Sequence, residues 1–306
     1  MGYTLRLSVK VQAEAPIQGL DAEPSIVVDG ITVTVKKDWP WLIFVAQGFE
    51  SEDAAEDFVK KLKLALYSLA LKYHIAFRSA FSKNKVHYLD RQLDPSNRHD
   101  GRADADGYCI YPNDKKISFW ILNPGRGSGS TGWSFAEEAL RSGLVAEPPA
   151  IDDKTATAIE LYLETFHEAS NRARFLTLIM ALEIMAPRPK RHDALIAALG
   201  GFREKLEFMK QGATEVERRE VQGVLSQIGF SEEQSINLRI QQLIRDEAPL
   251  EQDAREALAR KMKKAYDIRS KIMHHGGNEE VMNVFDDVLT AVKLVLSARL
   301  GLSSPI

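Results

Sequence analysis

The hydrophobic period of this chain changes once along its length, and that change limits the fold more than any composition does. Residues 5–11 and 31–36 alternate apolar with polar, as half-buried strands do, and residues 41–46 form a short β-branched and aromatic run. Residues 53–76, DAAEDFVKKLKLALYSLALKYHIA, are apolar at helical spacing, with acidic residues in the first turn where the helix dipole favours them. Strand patterns return at 86–89 and 116–122, on either side of SNRHDGRADADG, which has no periodicity and reads as a polar loop. Two turn-rich stretches follow, GRGSGSTG from Gly125 and AEPPAIDD from Ala146, separated by a short amphipathic piece. Beyond them every pattern is helical, at 155–169, 171–185, 193–211, 215–227, 232–245, 252–275 and 278–300. The expected fold class is therefore α+β, with a mixed unit over 1–145, a joint near 140–152 and an all-α bundle over 150–306.

A chain of 306 residues with 44% hydrophobic and 27% charged residues can bury a core without staples. No stretch reaches the ~18 consecutive apolar residues of a membrane span, and MGYTLRLSVKVQ alternates where a signal peptide has an apolar block, so no membrane association is expected and a cytoplasmic location is. A single cysteine, Cys109, excludes an internal disulfide and a cysteine-based zinc site. The net charge of -3 gives no global footprint for nucleic acid, so any such contact is local.

Several motifs have a bland reading that outweighs the chemical one. Gly127 and Gly132 have the glycine spacing of a phosphate-cradling loop, but Trp133 stands where that loop needs its lysine, so a flexible linker is expected. His74, His87, His99, His167 and His192 are scattered without the i, i+4 pairing of a helical metal site. His99 shares a run with Asp94, Asp100, Asp104 and Asp106, whose spacing is not that of a calcium loop, and a solvated acidic loop is the expectation.

Two helices carry a charge on the wrong face. At about 100° per residue, Leu258, Met262, Ala265, Ile268 and Ile272 form a stripe roughly 120° wide, and Arg269 falls inside it. In NRARFLTLIMALEIM the stripe is Phe175, Leu176, Ile179 and Leu182, and Glu183 falls inside that one. A buried arginine must be paired or must face a second protein surface, so either Arg269 meets Glu183 or it belongs to an interface. His274 and His275 close the same helix before Gly276; neither shares the face of Arg269, and His274 shares one with Asp267 and Ser270. C-terminal capping explains both histidines as well as a site does.

RARFLTLIMALEIM, SQIGFSEEQSINLRIQQLIRDE and AYDIRSKIMHHGG, in this order within one helical region, resemble the Apea-like branch of the HEPN superfamily (higher eukaryotes and prokaryotes nucleotide-binding domains) over residues 150–300. The hallmark of its ribonucleases is an arginine followed after four to six residues by a histidine near the end of a long helix. Arg269 with His274, or with His275, matches it. Directly after the arginine, where many members have asparagine, aspartate or histidine, stands Ser270.

The resemblance implies a homodimer with two copies of the motif across a cleft. It further implies metal-independent RNA endonuclease activity of a bacterial defence or toxin type, without a cofactor, on RNA, with tRNA as one candidate substrate. Arg269, His274 and His275 would be the catalytic residues, with Glu183, Tyr266, Asp267, Ser270 and Lys271 supporting them or binding substrate. The first 145 residues would sense a trigger or restrain the nuclease, through a regulatory partner protein if one exists. The superfamily also implies another class, a non-catalytic module that binds RNA, nucleotide or a partner protein.

Overall fold

A computed structural model describes residues 2–11, 17–38, 41–75, 77–78, 83–84, 86–88, 101–104, 107–120, 131–168, 170–275 and 281–302. The chain is α+β, with an antiparallel sheet region first and a helical region after it. It divides into two compact units, residues 1–177 with 296–306 and residues 178–295.

The first unit opens with β1 (Tyr3–Val11), β2 (Ile17–Gln18), β3 (Ser25–Val28), β4 (Ile31–Asp38) and β5 (Trp41–Phe49). Asp29 and Gly30 both take positive φ, at 52° and 78°, the backbone that a two-residue hairpin between β3 and β4 requires. Helix α1 (Glu52–Tyr73) is capped by Ser51, whose hydroxyl accepts from Ala54 N at 3.1 Å. The short strands β6 (Phe77–Arg78), β7 (His87–Tyr88), β8 (Gly101–Asp104), β9 (Gly107–Pro112), β10 (Ile117–Trp120) and β11 (Thr131–Gly132) follow, and then α2 (Trp133–Val145) and α3 (Asp153–Glu164). The main sheet has the order β3-β4-β5-β1-β6, with β9 also paired to β1, and β10-β8-β7 form a second sheet.

Alternation gives the main sheet two different faces. Leu5, Leu7, Val9, Val33, Val35, Leu42, Phe44 and Ile110 are buried on the face that receives α1, whose Glu56 accepts a hydrogen bond from Tyr108 on β9. Thr4, Arg6 and Ser8 point the other way and are buried as well. Helix α2 packs closely on α1: a Cβ at Gly143 would lie 2.4 Å from the Ala65 Cα, so only glycine fits there. The joint at 140–152 lies inside this unit, because α3 packs beyond it and the Tyr162 hydroxyl donates to the Ala70 carbonyl at 3.3 Å.

Helices α4 (Asn171–Met185) and α9 (Met282–Arg299) each cross the division between the units. The second unit also holds α5 (Asp193–Gln211), α6 (Glu215–Ser231), α7 (Ile236–Glu247) and α8 (Gln252–His275). Helices α5 and α6 pack on each other about Leu206, Leu225 and Ile228. The sequence pattern starts a helix at residue 232, but Arg191 N donates to Glu232 O at 2.8 Å and Gln234 N to Pro189 O at 3.2 Å. That pairing holds residues 232–234 out of the helix, and Ser235 caps α7 instead. A second difference concerns SNRHDGRADADG. Its residues 101–104 are β8 and its last glycine opens β9, since strand pairing supplies the backbone order that side-chain periodicity does not announce. His99, its aspartate neighbours Asp94, Asp100 and Asp106, and Gly125 and Gly127 lie outside the described residues. Among the described residues, no helix is long and apolar enough to cross a membrane.

Candidate functional site

The site is built on α8, and its placement follows from the helical stripe. Leu258, Met262, Ala265, Ile268 and Ile272 are all buried, which fixes the rotation of α8 and leaves Arg269 half-buried at the edge of the packed face. On α4, Phe175, Ile179 and Leu182 are buried and Leu176 is half-buried, which places Glu183 at the margin of its own packed face. The two charges meet. Arg269 Nε lies 3.1 Å from Glu183 Oε1, and Nη2 donates to Oε2 at 3.5 Å. The Nε approach is not aligned as a hydrogen bond, so Oε1 has charge contact without a hydrogen-bond donor. The Arg269 guanidinium also lies 5.6 Å from the centre of the Tyr266 ring, at cation–π distance.

A second arginine completes the cluster. Arg239 on α7 is buried, its Nε donates to the Pro187 carbonyl at 2.7 Å, and its Nη1 donates to Glu233 Oε2 at 3.2 Å. Burial pushes the Glu183 carboxyl above its ordinary range, against the opposing pull of Arg269 and Arg239. Burial also pushes the Tyr266 hydroxyl up, and the Glu183 charge adds to that push. The sequence does not single out Arg239, since at about 100° per residue it lies about 40° outside the stripe of Ile236, Ile240 and Leu243.

The structure thus gathers Glu183, Tyr266 and Arg269. It does not gather Arg269 with His274. His274 is exposed and, among the described residues, no hydrogen bond or ion pair holds it. The side chain of His275 lies outside the described residues. Five residues along α8 separate Arg269 from His274 by about 7.5 Å in rise and by about 140° in rotation, so one copy of the helix turns them to different sides. Asp267 is exposed and accepts from Asn237 Nδ2 at 3.4 Å, tying α7 to α8. Ser270 is half-buried and Lys271 exposed. Among the described residues, no three His, Cys, Asp or Glu side chains gather as metal ligands would. Trp133 begins α2, and His192 begins α5 by accepting from Ala194 N at 3.4 Å.

Fold and site together define an α+β chain whose second unit carries a carboxylate, an arginine and a tyrosine ring in one cluster, with an exposed histidine at the end of the same helix. No family model, no curated protein and no solved structure matches this chain.

Proposed function

We propose that the helical region is a HEPN-type RNA endonuclease module in which Arg269 and His274 act on one phosphate, with His275 as the substitute base. The observation that carries this reading is the state of Arg269. Its guanidinium is steadied by Glu183 and Tyr266, yet its side chain keeps 21% of its surface exposed, five residues before an exposed histidine.

RNA supplies its own nucleophile. A neutral histidine takes the 2′-hydroxyl proton as the 2′-oxygen bonds to phosphorus, and the imidazolium so formed gives that proton to the leaving oxygen as the P–O5′ bond breaks. The arginine fork binds the non-bridging oxygens as charge builds on them. The products are a 2′,3′-cyclic phosphate and a free 5′-hydroxyl. Because one helix turns Arg269 and His274 apart, the reading takes two copies of the chain, in which residues on different sides of one helix end meet groups of the other copy. The first 145 residues would then sense a trigger or restrain cutting.

A second reading rests on Glu183. A guanidinium already paired with a carboxylate serves the packing of α4 on α8, and the module then binds RNA, nucleotide or a partner protein without cutting. Incubation of the purified chain and its His274→Ala/His275→Ala variant with total RNA and with tRNA, in EDTA, separates the two. Cyclic phosphate ends made by the wild type and reduced at least about 100-fold in the variant support the nuclease. RNA bound but uncut by both supports the binding module.

A further inference from the structure

The first unit holds a buried cation with no hydrogen-bond acceptor among the described residues. Arg6, in the middle of β1, is 7% exposed, and among the described residues its guanidinium has no hydrogen bond and no ion pair. Among the described residues its neighbours form no ion pair with it. The Phe119 ring on β10 lies 3.7 Å from the guanidinium carbon and covers one flat side of it. Cys109 sits opposite Arg6 in the pairing of β1 with β9, and burial pushes its thiol up to about 12, so it is neutral. Burial likewise pushes the Tyr111 hydroxyl up to about 12. Asp38, an exposed residue, attracts the guanidinium without forming an ion pair. On this face β1, β5 and β9 carry no carboxylate, and β4 brings one, Asp38, opposite Trp41.

Two other donors on the same face are buried with no hydrogen-bond partner among the described residues. Ser8, two residues along β1, is fully buried and its hydroxyl has no partner. Trp41 is opposite Lys10 in the pairing of β1 with β5 and so shares the face; its Nε1 is buried and has no partner either. Successive same-face positions are about 7 Å apart, so Arg6, Ser8 and Trp41 form a row of donors rather than a point. A guanidinium brings five N–H groups, an indole one, and a hydroxyl one. Buried polar groups are ordinarily satisfied, and a buried guanidinium is the costliest to leave unpaired. At the Arg6–Ser8 end of the row no acceptor pairs with either donor among the described residues, and such an end is the complement of an anion.

We propose that the Arg6 face of the main sheet is a binding site for an oxyanion, a phosphoryl or carboxylate group, gripped by the guanidinium edge that Phe119 leaves uncovered and by the Ser8 hydroxyl. The Phe119 ring orients the fork by stacking on its flat side, which leaves the N–H edge for bidentate contact with two oxygens. This site is independent of the helix-end cluster and of the nuclease reading.

Thermal unfolding of the full chain, titrated with sodium phosphate or with sodium acetate against chloride at matched ionic strength, is the test. A ligand that binds only the folded chain raises Tm with its concentration. The wild type gives a saturable rise with at least one of the two anions; phosphate alone marks a phosphate ester as the natural ligand, and acetate alone marks a carboxylate. Arg6→Met abolishes the rise, Ser8→Ala weakens the apparent affinity by about 2- to 10-fold, and Arg269→Ala leaves it in place. Should Arg6→Met fail to fold, Ser8→Ala decides, since it removes one oxygen that has no partner to lose. No rise with either anion in the wild type, a rise that survives Arg6→Met, or an affinity unchanged by Ser8→Ala would overturn the proposal.

Discussion

Arg6 in the sheet unit and Arg239 in the helical unit are buried almost equally, at 7% and 6% exposure, and they are treated in opposite ways. Arg239 is held by the Pro187 carbonyl and the Glu233 carboxylate. Arg6 has a ring on one side and no acceptor among the described residues. The contrast separates a cation that the fold uses from one that the fold tolerates. The first secures the turn after α4 to α7, because a backbone carbonyl and a side chain are both satisfied by one planar group. The second is a standing expense of stability, and functional sites are where such costs collect. Arg269 lies between them, paired with Glu183 but still partly open to solvent.

The largest effect expected is at Arg239. Arg239→Ala strips the Pro187 carbonyl and Glu233 of their partner and should lower stability by about 3 kcal/mol, read as a shift of the urea midpoint. A loss no larger than that of an exposed residue would erase the contrast with Arg6. Arg6→Met, in buffer without phosphate or carboxylate, should unfold no more easily than the wild type and should gain about 1 kcal/mol, because removing an unpaired buried charge relieves its desolvation. A large loss would mean that Arg6 has a structural partner after all.

Glu183 gives a smaller, pH-dependent effect. Burial raises its carboxyl, so the folded chain holds that proton more tightly than the unfolded chain does. Its contribution therefore favours the fold below the ordinary glutamate value of 4.5 and is lost as pH rises through the raised value. The stability of the wild type relative to Glu183→Gln, followed by urea unfolding across that window, should fall with rising pH. A flat difference would show that Arg269 and Arg239 cancel the burial.

Two charges of the helical unit, Arg269 and Glu183, were legible in the sequence, and Arg239 and the buried arginine of the sheet unit were not. Arg269 and Glu183 stood out because a 3.6-residue period names the buried face of a helix without reference to anything else, while the choice between their pairing and an interface needed the contact itself. The boundaries of α4, α5 and α8 were legible for the same reason. In residues 5–11 the same logic assigns Arg6 and Ser8 to the outer side of a half-buried strand. Both are buried, and Phe119, more than a hundred residues later, covers Arg6. A cover that arrives from so far along the chain leaves no mark on local periodicity. The short strands β3, β8 and β9 escaped for a related reason, since their order comes from pairing with β4, β10 and β1.

The reading of the helix end depends on whether Arg269 serves the substrate or the packing, and Arg269→Ala measured two ways on one preparation tests that most directly. Urea unfolding should show a loss of no more than about 1 kcal/mol, as for a partly exposed pair, while cyclic-phosphate ends made from RNA in EDTA fall to the level of the His274→Ala/His275→Ala variant. A stability loss as large as that of Arg239→Ala, with RNA cleavage or binding unchanged, would contradict the account and make Arg269 a structural partner of Glu183.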